Sequence, residues 1–164
     1  MDVRIREASV EDLPDILHVY REAGLDIEES LSQEKASGIL ATMKRYPHYK
    51  LFVAESEGRV VGTFALLVME NLTHGGVKSG LVEAVGVLPS MQGKGIGKEM
   101  MQFAMARCKA EGCYKMALSS NETRTQAHAF YESLGFTRHG FSFRIAVGDR
   151  GTARTDPDGD VADR

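Results

Sequence analysis

The stretch VGVLPSMQGKGIG, residues 85–97, decides how this chain can fold. It runs from an apolar, strand-like start through a turn into a helical pattern. Glycines let the backbone approach an anion closely, and the unpaired N–H groups of a first helical turn favour a phosphate there. Lys94 and Lys98 add positive charge. The segment predicts a phosphate-binding loop; the alternative is that its glycines only shape a tight turn.

The residues before this loop predict two helices and a mostly antiparallel set of strands. In order, we expect a strand at 3–6, a helix begun by the capping box of Ser9 and Asp12, a helix at 32–45, hairpin strands at 51–55 and 60–69, and a strand at 80–88. Strict alternation along the last strand would place Leu81, Glu83, Val85 and Val87 on one face.

After the loop, the pattern predicts a helix at 95–110, a strand at 115–119, a helix at 125–134 and a final strand at 141–147. Strands and helices in mixed order, without an internal repeat, indicate an α+β fold. A length of 164 residues suits one domain, which we place at residues 1–147. Residues 148–164 are small and polar, so we expect a disordered tail.

Composition excludes several classes of function. The net charge of -3, without a long basic run, argues against nucleic-acid binding. Neither a signal-peptide pattern nor a long apolar segment is present, so we expect no membrane partner and a cytoplasmic location. The two cysteines, Cys108 and Cys113, are expected to be structural thiols, and the scattered histidines predict no metal site.

The loop motif separates the remaining phosphate-binding classes. Lys98 is followed by Glu99 where a nucleotide P-loop needs Ser or Thr, and Met100 stands where the dinucleotide fingerprint needs its last glycine. Gln92, Gly95 and Gly97 instead match the Gln/Arg-x-x-Gly-x-Gly/Ala signature of the GNAT superfamily of N-acetyltransferases. Residues 130–136, FYESLGF, look like the second signature of that superfamily. Over residues 1–147 the sequence therefore resembles a GNAT acetyltransferase.

The resemblance implies a fold, a reaction and a co-substrate. The fold is a central mixed, mostly antiparallel twisted sheet flanked by helices. The reaction moves the acetyl group of acetyl-CoA directly to a primary amine in a ternary complex, with no metal. The implied cofactor-binding residues comprise a pantetheine-contacting strand, the glycine loop and one asparagine: Val85, Gly86, Val87, Gln92, Gly93, Lys94, Gly95, Ile96, Gly97, Lys98 and Asn121. Asn121 is included because Arg124 stands where many members carry an asparagine.

Two residues are candidates for proton transfer. Tyr131 matches the family tyrosine that protonates the departing sulfur; the alternative is an aromatic core residue. Glu83 can point toward the thioester and accept the proton of the amine, directly or through water. Its alternative is a partly exposed carboxylate paired with a cation. His128 is interpreted as a helix-surface residue outside the catalytic set.

The acceptor is expected to bind between the first helix pair and the loop at 71–79, where the acidic residues Asp26, Glu28 and Glu29 could attract a cationic amine. A small primary amine is preferred over a protein lysine or N-terminus. A non-catalytic acyl-CoA-binding regulatory module is the competing class. Family members are often dimers, and Phe141 and Phe143 offer an apolar contact for a homodimer.

Overall fold

The computed structural model describes residues 2–25, 31–143, 145 and 147. The chain divides into two compact units, Met1–Leu118 and Ser119–Arg164. Among the described residues, the first unit contains the sheet and three α-helices, and the second contains one α-helix. The predicted α+β class is confirmed.

The elements of the first unit are β1 Val3–Glu7, α1 Leu13–Glu22, α2 Gln33–Met43, β2 Tyr49–Ser56, β3 Arg59–Met69, β4 Ser79–Val87, α3 Ile96–Ala110 and β5 Lys115–Leu118. The second unit contains α4, Thr125–Ser133. Short 3-10 turns at Val10–Asp12, His74–Gly76 and Pro89–Met91 connect some of them. Wherever the sequence predicted both ends of one of these elements, each end lies within two residues of its observed position.

The five strands form one mixed sheet in the order β1-β2-β3-β4-β5. The pairs from β1 to β4 are antiparallel, and β5 lies parallel to β4. The β2–β3 turn carries Glu57 at φ 52° and Gly58 at φ 74°. Two consecutive positive φ angles produce the tight hairpin turn whose twist matches the strands. The predicted mixed, mostly antiparallel sheet is confirmed.

Helices cover both faces of this sheet. One face carries Leu51, Val53 and Ala65, and packs against apolar side chains of α1 and α2: Leu13, Ile16, Val19, Ala36 and Leu40. The other face carries Phe52 and Phe64, whose rings lie 5.2 Å and 6.4 Å from the ring of Phe103 in α3. Each buried aromatic or aliphatic side chain of this kind contributes about 1.5–3 kcal/mol. The sheet is therefore packed against helices on both faces.

The start of α1 is fixed by a partly buried ion pair. The backbone N–H of Ser9 donates to the Asp12 carboxylate at 2.8 Å, as the predicted capping box requires. The Arg6 guanidinium also donates to both oxygens of Asp12, at 2.7 Å and 2.8 Å. These hydrogen bonds, above all those from Arg6, lower the pKa of Asp12 to about 2. The arrangement ties β1 to the helix that follows it.

The second unit corrects one prediction. Residues 141–147 were expected to form a final strand, but the described positions among them carry no strand. The apolar side chains there are almost fully exposed, from 85% for Ile145 to 94% for Val147. Alternating apolar residues form a strand only beside an edge that can accept their hydrogen bonds. Among the described residues of this unit no other strand provides that edge. The predicted tail at 148–164 lies outside the described residues.

Candidate active site

Strand β4 is paired on both sides over only half its length. Its pairing with β5 runs from Ser79 opposite Lys115 to Val82 opposite Leu118, where β5 ends. Strand β4 itself continues to Val87, still paired with β3. The edge of β4 from Glu83 to Val87 therefore extends beyond β5, and its backbone groups on that side are not used by β5. This is the part of the chain predicted to bind the pantetheine arm.

A β-bulge lies at the start of the open half of β4. Glu83 pairs with Ala65 and Gly86 with Thr63, so two residues of β4 lie opposite the single residue Phe64. Ala84, the first of the two, has a φ of 51°, in the left-handed region. Such a bulge interrupts the ladder and turns the strand locally. The bulge reorients the backbone where the acyl group is predicted to lie.

The bulge corrects the predicted side-chain alternation. Partners across an antiparallel pair share a face, so Glu83 and Gly86 lie with Ala65 and Thr63 on the α1 face. Val87 pairs with Gly62 and lies on the opposite face, toward α3. Glu83 and Val87 therefore do not share a face as predicted, because the extra residue shifts the period of two.

Glu83 is exposed on the α1 face of β4. Among the described residues, no lysine, arginine or histidine forms an ion pair with its carboxylate. The alternative interpretation required Glu83 to be paired with a cation, and the described residues contain no such pair. The geometry leaves Glu83 available to accept a proton.

The glycine loop connects β4 to the N-terminus of α3. Gly93 and Gly95 have φ angles of 73° and 86°, which residues other than glycine rarely adopt. Glu99 N–H donates to the Gly95 carbonyl at 3.0 Å in the first bond of the helix. The N–H groups of residues 96–98 consequently have no acceptor within the helix. This loop has the backbone geometry that suits a phosphate.

The side chains of the loop stabilise its backbone or extend into solvent. Gln92 Nε2 donates to the Val87 carbonyl at 3.2 Å, which fixes the loop to the end of β4. Lys94 Nζ lies 3.5 Å from Met91 Sδ, and Lys94 and Lys98 are both exposed. Ile96 is buried in the core, so only its backbone is available to a ligand. The predicted residues 92–98 are thus brought together, with Gln92 in a structural role as well.

In the second unit, Tyr131 lies in α4 within an aromatic cluster. Its ring centroid is 5.1 Å from that of Phe130 and 5.6 Å from that of Phe136. Burial raises the pKa of Tyr131 above its ordinary value of 10.0, and the charge of Arg124 partly opposes this. A phenol with a raised pKa keeps its proton at neutral pH. It is therefore in the state required of an acid, although it also packs like a core residue.

Asn121 organises the turn before α4. Its Oδ1 accepts hydrogen bonds from the Thr123 N–H at 2.9 Å and the Thr123 hydroxyl at 3.0 Å. Its backbone carbonyl lies 2.7 Å from His128 Nε2. The side-chain oxygen is therefore occupied within the turn, and the amide nitrogen is the group left for a cofactor. His128 therefore contacts this turn.

The comparisons with known proteins identify the family of this chain. Residues 12–136 match the profile of the Acetyltransferase (GNAT) family. A glucosamine 6-phosphate N-acetyltransferase of Trypanosoma brucei brucei is 31% identical over 123 residues, 75% of this chain and 76% of that protein. An aminoalkylphosphonate N-acetyltransferase of Salmonella typhimurium is 34% identical over 100 residues, 61% of this chain and 63% of that protein. The crystal structure of a Trypanosoma brucei acetyltransferase superposes with a TM-score of 0.77 at 31% identity, covering 89% of this chain and all of that one.

The chain belongs to the Acetyltransferase (GNAT) family. It is an acetyl-CoA-dependent N-acetyltransferase. The resemblance read from Gln92, Gly95, Gly97 and the motif at 130–136 is confirmed, and residues 12–136 include both motifs.

Two features of this acetyltransferase were missed in the sequence. Ala84 gave no signal, since alanine is not a residue that marks a positive φ. Leu25 lies against Gly86 of β4 and also went unnoticed. Gly24 followed by an apolar residue at a helix end is a known C-terminal motif and could have identified Leu25. The predicted acidic residues Asp26, Glu28 and Glu29 lie outside the described residues.

Three further observations concern groups outside the site. Cys108 and Cys113 of this acetyltransferase are free thiols, and burial raises the pKa of Cys108 to about 12. The described residues contain no group of three or more His, Cys, Asp or Glu side chains placed to hold a metal ion. None of the helices within the described ranges has the length and apolar character to span a membrane.

Proposed function

We propose that this N-acetyltransferase binds acetyl-CoA along the open edge of β4 and moves the acetyl group directly to a primary amine of a small molecule in a ternary complex. The observation that carries the proposal is the continuity of the edge Glu83–Val87 with the glycine loop and the N-terminus of α3. An extended ligand arm can form the hydrogen bonds that a neighbouring strand would form. The N–H groups of residues 96–98 suit its phosphates.

The proposed chemistry assigns one proton to each candidate residue. Glu83 accepts a proton from the amine, directly or through one water. The N–C bond forms, the C–S bond breaks, and Tyr131 donates its proton to the departing thiolate. A backbone N–H near Val85 or Gly86 stabilises the negative charge that develops on the acetyl oxygen. The raised pKa of Tyr131 and the absence of an ion pair at Glu83 in the described residues support these roles.

The names of two relatives support a small acceptor. Glucosamine 6-phosphate and aminoalkylphosphonates are both small molecules that carry an amine and a phosphorus oxyanion. An enzyme assay therefore follows CoA thiol release from acetyl-CoA with amino sugars and their phosphates, aminoalkylphosphonates, amino acids, polyamines, aminoglycosides and a lysine peptide. Turnover with a small amine supports the proposal. Turnover with the peptide alone would indicate a protein acetyltransferase, and tight binding without any turnover would indicate a regulatory module.

The Tyr131→Phe variant tests the role of the phenol. We expect kcat to fall by roughly 10²–10⁴, the usual contribution of general acid catalysis, with the Kd of acetyl-CoA unchanged. Because the pKa of Tyr131 is raised above 10.0, the midpoint of any loss of activity from its deprotonation should lie above pH 10. Tyr46→Phe, at a tyrosine that is 57% exposed, is the matched control. An unchanged kcat in the Tyr131 variant would exclude Tyr131 as the proton donor.

Two expectations about the protein in the cell belong to the same proposal. A cytoplasmic location agrees with the free thiols of Cys108 and Cys113, since reducing compartments keep thiols reduced. A homodimer agrees with the exposed apolar side chains of Phe141 and Phe143, which are 92% and 90% exposed. Cell fractionation tests the first expectation. Light scattering tests the second, and a mass of one chain at micromolar concentration would contradict it.

A further inference from the structure

The C-terminal end of α1 lies directly on the open half of β4. A Cβ atom placed on Gly86 would lie 3.1 Å from Leu25 Cδ1, 3.2 Å from Val19 Cγ1 and 3.4 Å from Ala23 Cβ. These distances mean that the three side chains already contact the Gly86 backbone, with little space between the helix end and the strand. Gly86 is two residues beyond Ala84, the first residue of the bulge.

Leu25 reaches this position because of how α1 ends. Gly24 adopts a φ of 68°, and its N–H donates to the Arg21 carbonyl at 3.1 Å. The Leu25 N–H donates to the Tyr20 carbonyl at 2.8 Å. This pair of bonds is the Schellman arrangement, in which the residue after the glycine folds back against its own helix. One hydrogen bond from Gly24 and one from Leu25 thus fix the backbone at the end of α1, and the Leu25 side chain contacts Gly86 of β4.

The face on which Leu25 lies is the face of Glu83. Both Glu83 and Gly86 lie on the α1 side of the sheet, whereas the glycine loop leads into α3 on the opposite side. On the proposed function, the phosphates lie at the loop and the acyl end reaches the β4 edge near the bulge. A carbon chain longer than acetyl that extends toward the α1 side would meet the helix end at Gly86.

Among the three contacts, Leu25 is the one whose size can set a pocket boundary. Val19 is fully buried in the core, and Ala23 has only its Cβ to offer. Leu25 is partly exposed and touches Gly86 with a terminal methyl group. A shorter side chain at position 25 would leave space beside β4 without creating a cavity in the hydrophobic core.

We propose that Leu25 determines acyl-chain specificity: its side chain, held over Gly86 by the end of α1, closes the acyl pocket behind the acetyl group and excludes longer acyl groups. This inference rests on the proposed function, since it concerns the same site. Leucine-to-alanine replacement removes three carbons, and butyryl exceeds acetyl by two. The space gained therefore matches the extra chain.

The test compares Leu25→Ala with the wild-type protein on acetyl-CoA and butyryl-CoA. A methylene group in an apolar pocket changes specificity by roughly 10–200-fold. We expect the ratio of kcat/KM for butyryl-CoA to that for acetyl-CoA to rise at least about tenfold. Calorimetric titration without any amine should show the ratio of the two Kd values shift in the same direction. Leu17→Ala, which removes the same atoms from a partly buried residue of α1, should leave both ratios unchanged.

The outcomes separate this inference from the proposed function. Both ratios unchanged in a folded Leu25→Ala protein that still turns over acetyl-CoA would overturn the role of Leu25 alone. Failure of the wild-type protein to turn over acetyl-CoA with any amine would contradict the proposed function, while the Kd ratio would still test Leu25. If Leu25→Ala unfolds, Leu25→Val provides the same comparison with a smaller expected shift, and an unchanged Kd ratio there would likewise overturn the inference.

Discussion

The two halves of β4 differ in pairing, regularity and burial although they are one continuous strand. Ser79–Val82 is hydrogen-bonded to β3 and to β5, and three of its four residues are buried. From Glu83 onward the strand extends past β5, carries a bulge at Ala84, and exposes Glu83 and Ala84. Full pairing and burial stabilise the fold, while an open edge leaves backbone groups for a ligand. The end of β5 therefore separates the half of β4 that stabilises the fold from the half that is available to a ligand.

The difference predicts that overpacking the first half lowers stability, whereas substitution of Glu83 in the second half lowers catalysis with little effect on stability. Variants of one strand therefore allow the change in the free energy of unfolding to be compared with the change in kcat. A first-half variant that changed only kcat, or a Glu83 variant that changed only stability, would contradict this difference.

The largest expected effect is that of Glu83→Gln on catalysis. Loss of a general base lowers kcat by roughly 10²–10⁴, because glutamine cannot accept the proton of the amine. Glu83 is exposed and has no ion pair within the described part of the chain, so the free energy of unfolding should change by less than about 0.5 kcal/mol. Steady-state kinetics and urea unfolding measure the two quantities. Glu34→Gln, at another exposed carboxylate, is the control.

A kcat within a factor of two of wild type would show that Glu83 is not the base. A large loss of stability instead would mean that the second half of β4 behaves like the first.

The Gly80→Ala variant tests the first half of β4. A Cβ on Gly80 would overlap Sγ of Cys108, a buried residue of α3 that packs against β4. Overpacking of this kind costs about 1–3 kcal/mol in the free energy of unfolding, with little change in kcat for the molecules that remain folded. Urea unfolding measures the loss. Gly38→Ala in α2, where nothing beyond the adjacent residues and the helix's own backbone lies within 4 Å of the new Cβ, should instead stabilise the protein slightly.

The double variant Gly80→Ala with Cys108→Ala tests whether the overlap with Cys108 Sγ causes the loss of stability. Without Sγ, the nearest remaining atom of residue 108 lies 3.7 Å from the new Cβ, an ordinary contact. We therefore expect the double variant to recover most of the stability lost in Gly80→Ala. Purely additive losses would mean that the overlap with Cys108 is not the cause.

The sequence predicts the first half of β4 better than the second, and the reason is physical. Period-two alternation and β-branched residues locate a paired strand, and glycines at 93, 95 and 97 locate the loop, because these signals are local. The bulge is not local: it depends on how β4 meets β3, and alanine does not mark a positive φ. The face of Val87 was therefore predicted wrongly, whereas Glu83, which lies before the bulge, was placed on the face of Leu81 as observed.

The same reasoning explains the outcome at the C-terminal end. Alternation at 141–147 has the local pattern of a strand, but a strand also requires a partner edge that the sequence does not reveal. The position of Leu25 on Gly86 likewise depends on packing between distant residues. Only its cause, the turn at Gly24, is visible in the sequence.

The smallest expected effect, and the sharpest test of the bulge, is that of Ala84→Gly. A left-handed alanine costs roughly 1–2 kcal/mol relative to an unstrained residue, and glycine removes that cost. Glycine also adds about 0.4–1 kcal/mol of entropy to the unfolded chain, which opposes the gain. A net stabilisation of roughly 0.5 kcal/mol is expected from urea unfolding. Ala41→Gly, an exposed position in α2, should lose about 1 kcal/mol under the same conditions. A loss at Ala84 as large as that at Ala41 would mean that Ala84 is not strained in solution, and that the second half of β4 is an ordinary strand with a missing neighbour.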